Sequence, residues 1–280
     1  MSDPRDALDA IGQLPDAEID LADAALQFAR VDVPDADWHD ARAHLSDLAR
    51  DAVALAGELG GADLSTRAGA LAELFTGRHR YRGDAETYDD PANANLIRVI
   101  ERRRGLPVAL GILWLHCARS AGWGAHGIDF PGHFLVALQG SHNPAMPRTS
   151  VLDPFAGGRP MDARDLRGLL KRVEGPKAEL RPGVLHPMAS RAVLLRLQNN
   201  IKARRLQAGD LDGALLCVED MLRVAPDAAA LWREAALMHQ RLGHVAAALR
   251  GFERFLVLVP RGEAAQRVRA AMEELRARLN

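Results

Sequence analysis

Two stretches near the C-terminus of this 280-residue chain repeat one another at a fixed interval. Gly209, Ala214, Leu215, Leu222 and Pro226 recur as Gly243, Ala248, Leu249, Leu256 and Pro260, each shifted by 34 positions. That period belongs to stacked helix–turn–helix units, which bury their apolar faces only against neighbours. Trp232, Ala235 and Ala236 supply the aromatic and the two small residues that let paired helices approach. The first unit departs from this at its tight position, where Lys202 replaces a small residue. About three units are needed for a stack that stands alone. Two repeats and a final helix over Glu263–Leu279 must therefore lean on what precedes them.

Residues 18–79 read as helices. Ile19, Leu21, Ala24, Leu26 and Phe28 form one apolar stripe. Trp38, Ala41, Leu45, Leu48, Ala52, Leu55 and Leu59 continue at three- and four-residue steps, the helical period. Gly60-Gly61 stops that helix, and Asp63 or Ser65 caps the next, which carries Leu71, Leu74 and Phe75. Arg78–Asn93 lacks a period and reads as a loop.

A short helix over Asn95–Arg103 ends at Gly105, the expected C-cap. Pro107 then suits the first turn of a helix running to about Ala121, apolar nearly all round and so expected at the centre of its domain. Past Gly122 the period changes to two. Ala125–Phe130 and His133–Gln139 flank Pro131-Gly132 as antiparallel strands. A polar loop with Gly140, Asn143, Pro144 and Pro147 leads to a third strand, Thr149–Leu152. The expected class is α+β: a helical region over 1–87, a core with a small antiparallel sheet over 88–185, and all-α repeats over 190–280.

Helix N-terminus, His strand and Asp strand follow one another in the order of a cysteine acyl-transfer site. There the helix dipole and an imidazole activate a thiol, and an Asp orients the His. His133 and Asp153 fill the last two roles in position, as a vestigial dyad. The nucleophile position holds Pro107 and Val108. Cys117 lies about 15 Å further along the axis, on a different face, and reads as a buried structural residue. Cys217 sits in a similar apolar pattern, so neither a disulfide framework nor a Cys-based zinc site is expected. His116 and His126 have no ligand spacing, and His39/His44 and His239/His244 lack the zincin spacing and its Glu. No metal and no cofactor is expected.

A composition of 48% hydrophobic and 26% charged residues is that of an ordinary globular protein. A net charge of −1 argues against a nucleic-acid binder. The first fifty residues are Asp-rich and 159–205 Arg- and Lys-rich, which predicts attraction within the chain. The first residues lack a leader pattern and no run approaches a membrane span, so a cytoplasmic protein without membrane contact is expected.

Several blocks resemble a known family. Asn93-Ala94-Asn95-Leu96, followed by Val99-Ile100-Glu101-Arg102-Arg103-Arg104-Gly105-Leu106-Pro107-Val108, is similar to the signature of the bacterial SirB-type proteins. Phe130-Pro131-Gly132-His133-Phe134-Leu135-Val136 and Leu152-Asp153-Pro154-Phe155-Ala156-Gly157-Gly158 resemble its next two blocks. Arg196-Leu197-Gln198-Asn199-Asn200-Ile201-Lys202 resembles the block that opens the repeats, while Ala94 and Asn95 depart from the pattern. The resemblance implies a transglutaminase-like, papain-like domain followed by tetratricopeptide repeats, with the catalytic Cys absent as a rule. It also implies a related module in some animal F-box proteins.

Two functions of different kinds follow. One is a non-catalytic adaptor or regulator whose repeat groove presents Arg196, Asn199, Arg233, Gln240, Arg241 and Arg267 to a protein or acidic peptide. The same residues would otherwise form a solvated face or pair with the acidic N-terminal helices. The other is a hydrolase or transferase using His133 as general base on water, oriented by Asp153. A purely architectural subunit is a third possibility.

Overall fold

The computed structural model describes residues 3–140 and 149–277. Its contacts group the chain into two compact units, Pro15–Leu197 and Met1–Leu14 with Gln198–Asn280. The first unit holds α2 (Leu21–Asp32), α3 (Trp38–Leu59), α4 (Leu64–Glu73), α5 (Leu96–Arg102), α6 (Pro107–Ser120) and α7 (Ala163–Glu174). The helices of residues 21–78 thus belong with the core rather than to a unit of their own.

Each early helix starts on a side-chain cap. Asp20, Asp37 and Asp63 accept backbone N–H groups at the heads of α2, α3 and α4, which satisfies donors the helix cannot. Gly60 ends α3 at φ 51°. Asn95 caps α5. The C-cap expected at Gly105 is instead Arg103, in the left-handed conformation at φ 55°. Gly105 is drawn into a short strand, because β1 (Arg82–Gly83) pairs in parallel with β2 (Arg104–Gly105). Arg103 is held there by its side chain, which donates to the Tyr81 hydroxyl at 2.6 Å and contacts the His44 ring.

The sheet is five-stranded and antiparallel, in the order β6 (Arg159–Met161), β5 (Thr149–Asp153), β4 (His133–Gln139), β3 (Ala125–Phe130), β7 (Pro187–Met188). Gly132 turns the β3–β4 hairpin at φ 61°. Residues 141–148, with Asn143, Pro144 and Pro147 of the expected polar loop, lie outside the described residues. Strand β4 is covered on both faces, which is why Phe134–Leu138 is an unbroken apolar run. On one face Phe134 packs against Gly111 of α6, where a Cβ would sit 2.3 Å from the ring. On the other, Leu135 and Ala137 join Leu166, Leu169 and Leu170 of α7 in one cluster. Helix α6 is buried along almost its whole length, as its apolar circumference predicts. Trp114 on it stacks on Phe75 with ring centroids 4.8 Å apart.

The second unit consists of α1 (Pro4–Gln13), α8 (Ser190–Gln207) from Gln198 onward, α9 (Leu211–Val224), α10 (Ala229–Arg241), α11 (Val245–Leu258) and α12 (Glu263–Ala277). The 34-residue period is repeated in three dimensions. Gly209 and Gly243 turn between paired helices at φ 77° and 79°, and Ala214 and Ala248 are fully buried. Lys202, the departure at the tight position, ion-pairs with Glu234 on α10 at 2.8 Å. Helix α1 packs on α9: Leu8 is fully buried and Arg5 binds the buried Asp220 at 2.9 Å. In the first unit, Asp16 accepts from the N–H groups of Ser190 and Arg191 at 2.7 and 2.8 Å, a cap for α8 from 174 residues away.

Candidate functional site

His133 opens β4 and Asp153 closes β5, and the antiparallel register that pairs Val136 with Leu152 brings the two strand ends together. Nε2 of His133 lies 2.9 Å from Oδ1 of Asp153. Because the carboxylate only accepts, Nε2 is assigned the proton and Nδ1 of the neutral ring keeps the lone pair. Asp153 is fixed in turn: Oδ1 also accepts the N–H groups of Phe155 and Ala156 at 3.0 and 3.2 Å. This is an Asx turn written in the sequence as Asp153-Pro154-Phe155-Ala156. The Phe155 ring stands edge-on to the imidazole at 6.1 Å, and Gly83 packs against that ring.

The α6 N-terminus carries no nucleophile. Pro107 and Val108 are buried, and Leu106 before them donates its N–H to the Asn93 carbonyl at 2.9 Å. Cys117 is fully buried, and its Sγ donates to the carbonyl of Leu48 on α3 at 3.7 Å. Burial pushes this thiol well above the ordinary cysteine pKa, with the charge of Asp51 acting in the same direction. Such a group is not an activated thiolate. The arrangement orients an imidazole and can move a proton, but the α6 N-terminus places no thiol or hydroxyl beside it to receive an acyl group.

The six residues expected to line a groove part company. Arg196 is engaged in the first unit, where it pairs with Asp129 and donates to the backbone carbonyl of His133 at 2.6 Å. It thereby braces the strand end that carries the imidazole, a role the sequence pattern does not signal. Arg233, Gln240 and Arg241 fall on one face of α10 together with Leu237, a large apolar side chain left 44% exposed. The Arg233 guanidinium lies over the Phe255 ring at 5.9 Å. Asn199 is exposed on α8, and Arg267 on α12 pairs with Glu263 one turn earlier.

Three further histidines have other partners. His116 meets the Leu45 carbonyl at 3.0 Å, His79 meets Asp51 at 2.8 Å, and His239 meets Glu219 at 3.2 Å. Among the described residues, no three His, Cys, Asp or Glu side chains cluster as metal ligands, and no helix is long and apolar enough to cross a membrane.

Comparison with known proteins places these features in a class. Residues 39–199 match the transglutaminase-like superfamily and residues 201–273 match a tetratricopeptide repeat family. A UPF0162 protein of Xylella fastidiosa is 33% identical over 198 residues, covering 70% of this chain and 69% of that one. A UPF0162 protein of Pseudomonas aeruginosa is 32% identical over 263 residues, covering 91% and 90%. The chain belongs to the UPF0162 family of transglutaminase-like proteins with tetratricopeptide repeats. A shorter likeness, 26% over 94 residues, links 32% of the chain to 15% of the mouse F-box only protein 21.

Proposed function

We propose that this protein is a non-catalytic adaptor or regulator of the SirB type, which binds an acidic segment of a partner protein through its repeats. The observation that carries this reading is the α6 N-terminus, where buried Pro107 and Val108 stand at the nucleophile position while Cys117 is bonded to Leu48. Without a thiol at that helix end, the pair has no cysteine to activate and no thioester intermediate to support.

The repeats support a binding role. On α10, Leu237 is flanked by Arg233, Gln240 and Arg241, with Asn199 and the exposed Leu206 on α8. An apolar anchor point flanked by two guanidinium groups suits a peptide that combines carboxylates with one large side chain. Both cysteines are buried thiols outside any disulfide, which fits a reducing, cytoplasmic setting.

Fluorescence-polarisation titrations of acidic and basic peptide libraries at low and moderate salt test the reading. Acidic peptides should bind, and Arg233→Glu with Arg241→Glu should weaken them at least about tenfold. Equal binding of basic peptides, or no response to charge reversal and salt, would remove the groove.

A second reading rests on the intact 2.9 Å contact between His133 and Asp153, which leaves Nδ1 available as a general base on water. It requires that hydrolysis of a simple ester or amide fall about a hundredfold or more in His133→Ala. An unchanged rate in that variant makes the pair structural.

A further inference from the structure

Asp153 also forms part of the wall of a cavity of about 290 Å³ bounded by β5, β6 and α7. Arg159 on β6 lines it, with Arg164, Asp165, Gly168 and Arg172 on α7. Three guanidinium groups thus meet two carboxylates, a formal excess of one positive charge. Both carboxylates are already engaged. Asp153 Oδ1 takes three donors, and Asp165 binds Arg159 at 3.0 Å and the Asp162 N–H at 3.2 Å. Among the described residues, neither Arg164 nor Arg172 makes an ion pair with an acid.

Arg172, in the last turn of α7, suits the helix dipole, whereas Arg164 does not. Arg164 lies in the first turn of α7, where the macrodipole disfavours a cation. Arg164, Gly168 and Arg172 follow at four-residue steps on one face, so two like charges flank a residue with no side chain. A Cβ at Gly168 would touch only the Arg172 guanidinium, at 3.7 Å, so close packing does not demand the glycine. A dianion seated over Gly168 would accept both planar forks.

We propose that this cavity binds the phosphate monoester group of a small molecule, held by Arg164 and Arg172 across Gly168 with Arg159 at the rim. The volume sits at the lower edge of the range for small-ligand sites, roughly 300–1,000 Å³, which limits the ligand to a few carbons beyond the phosphate. Met161 and Ala156 supply apolar wall for that body. Asp153 repels the dianion and so sets its direction, phosphate toward α7 and any hydroxyl or amine toward the carboxylate. The site is separate from the repeat groove and stands whether or not the repeats bind an acidic partner.

Isothermal titration calorimetry of the full chain with O-phosphoserine, inorganic phosphate, serine and a phosphoserine heptapeptide tests the assignment. O-Phosphoserine should bind saturably, serine should not bind, and the heptapeptide should bind no tighter than the free amino acid. Arg164→Gln with Arg172→Gln should weaken O-phosphoserine at least about tenfold, while Lys171→Gln leaves it unchanged. Gly168→Leu, which fills the space while keeping all three arginines, should also abolish binding, and covers the case in which the double variant misfolds. Absence of saturable heat up to about 10 mM O-phosphoserine would overturn the proposal, since binding weaker than that is within the range of non-specific charge pairing. Equal affinity in the arginine variant, or tighter binding of the heptapeptide, would overturn it as well.

Discussion

The Sγ of Cys117 lies 3.7 Å from the carbonyl oxygen of Leu48, so the one thiol of residues 15–197 gives its hydrogen to α3 and not to the His133–Asp153 pair. A buried thiol with a raised pKa reacts only when the fold opens. Iodoacetamide should leave Cys117 unmodified at pH 8 in native protein and label it fully in denaturant, as read by peptide mass spectrometry. Rapid native labelling would place the sulfur elsewhere. The sign for stability follows: the unfolded thiol loses its proton first, so the folded state is favoured below about pH 8.5 and that contribution falls as pH rises further.

His44 provides a titration of the opposite window. Burial, then the charges of Arg103 and His79, lower its pKa from 6.5 to about 4. Between those values the unfolded chain binds the extra proton and the folded one does not, so stability is present above pH 6.5 and lost as pH falls toward 4. His44 is only half buried, and solvent screening reduces the loss to the order of 1–2 kcal/mol. Urea unfolding at pH 7.5 and 5.0 should show that loss in the natural chain and a smaller one in His44→Gln.

Gly158 follows the Asp153 turn at φ 76°, and a Cβ there would meet the Trp114 ring at 1.8 Å. Both the backbone and the contact exclude a side chain. Gly158→Ala should destabilise the first unit by about 3 kcal/mol or more in urea denaturation. An effect below about 1 kcal/mol would mean the loop moves freely away from α6.

Leu8 is fully buried where α1 meets α9, and a Cβ on Gly12 would lie 2.0 Å from the Arg223 carbonyl oxygen. Leu8→Ala should lower the stability of the repeats by about 2–4 kcal/mol. Hydrogen exchange would show this as faster exchange along α9, with the amides of β4 little changed.

Much of this architecture is legible in residue order, and the exceptions share a cause. The repeats announce themselves because a tight turn and a close helix crossing each admit only Gly or Ala, at Gly209, Gly243, Ala214 and Ala248. Helix α6 is legible because it is apolar on every side. The His133–Asp153 pairing follows from one hairpin and one further strand. Helix α7 escapes notice because Gly168 and six charged residues dilute the three leucines that seat it on the sheet. The left-handed Arg103 escapes because its support comes from Tyr81 and His44, distant in sequence. Helix α1 is short and polar, and its anchor at Asp220 lies 215 residues away.

That last distance has a temporal side. At ribosomal speeds of about 5–20 residues per second, roughly 10–40 s separate the emergence of the first helix from that of its berth. During synthesis Leu8 has nothing of its own chain to cover it, while the intervening domain can finish folding. Docking of α1 therefore waits for residues made late in synthesis, and a nascent chain stalled before residue 220 should carry that helix loose and open to protease.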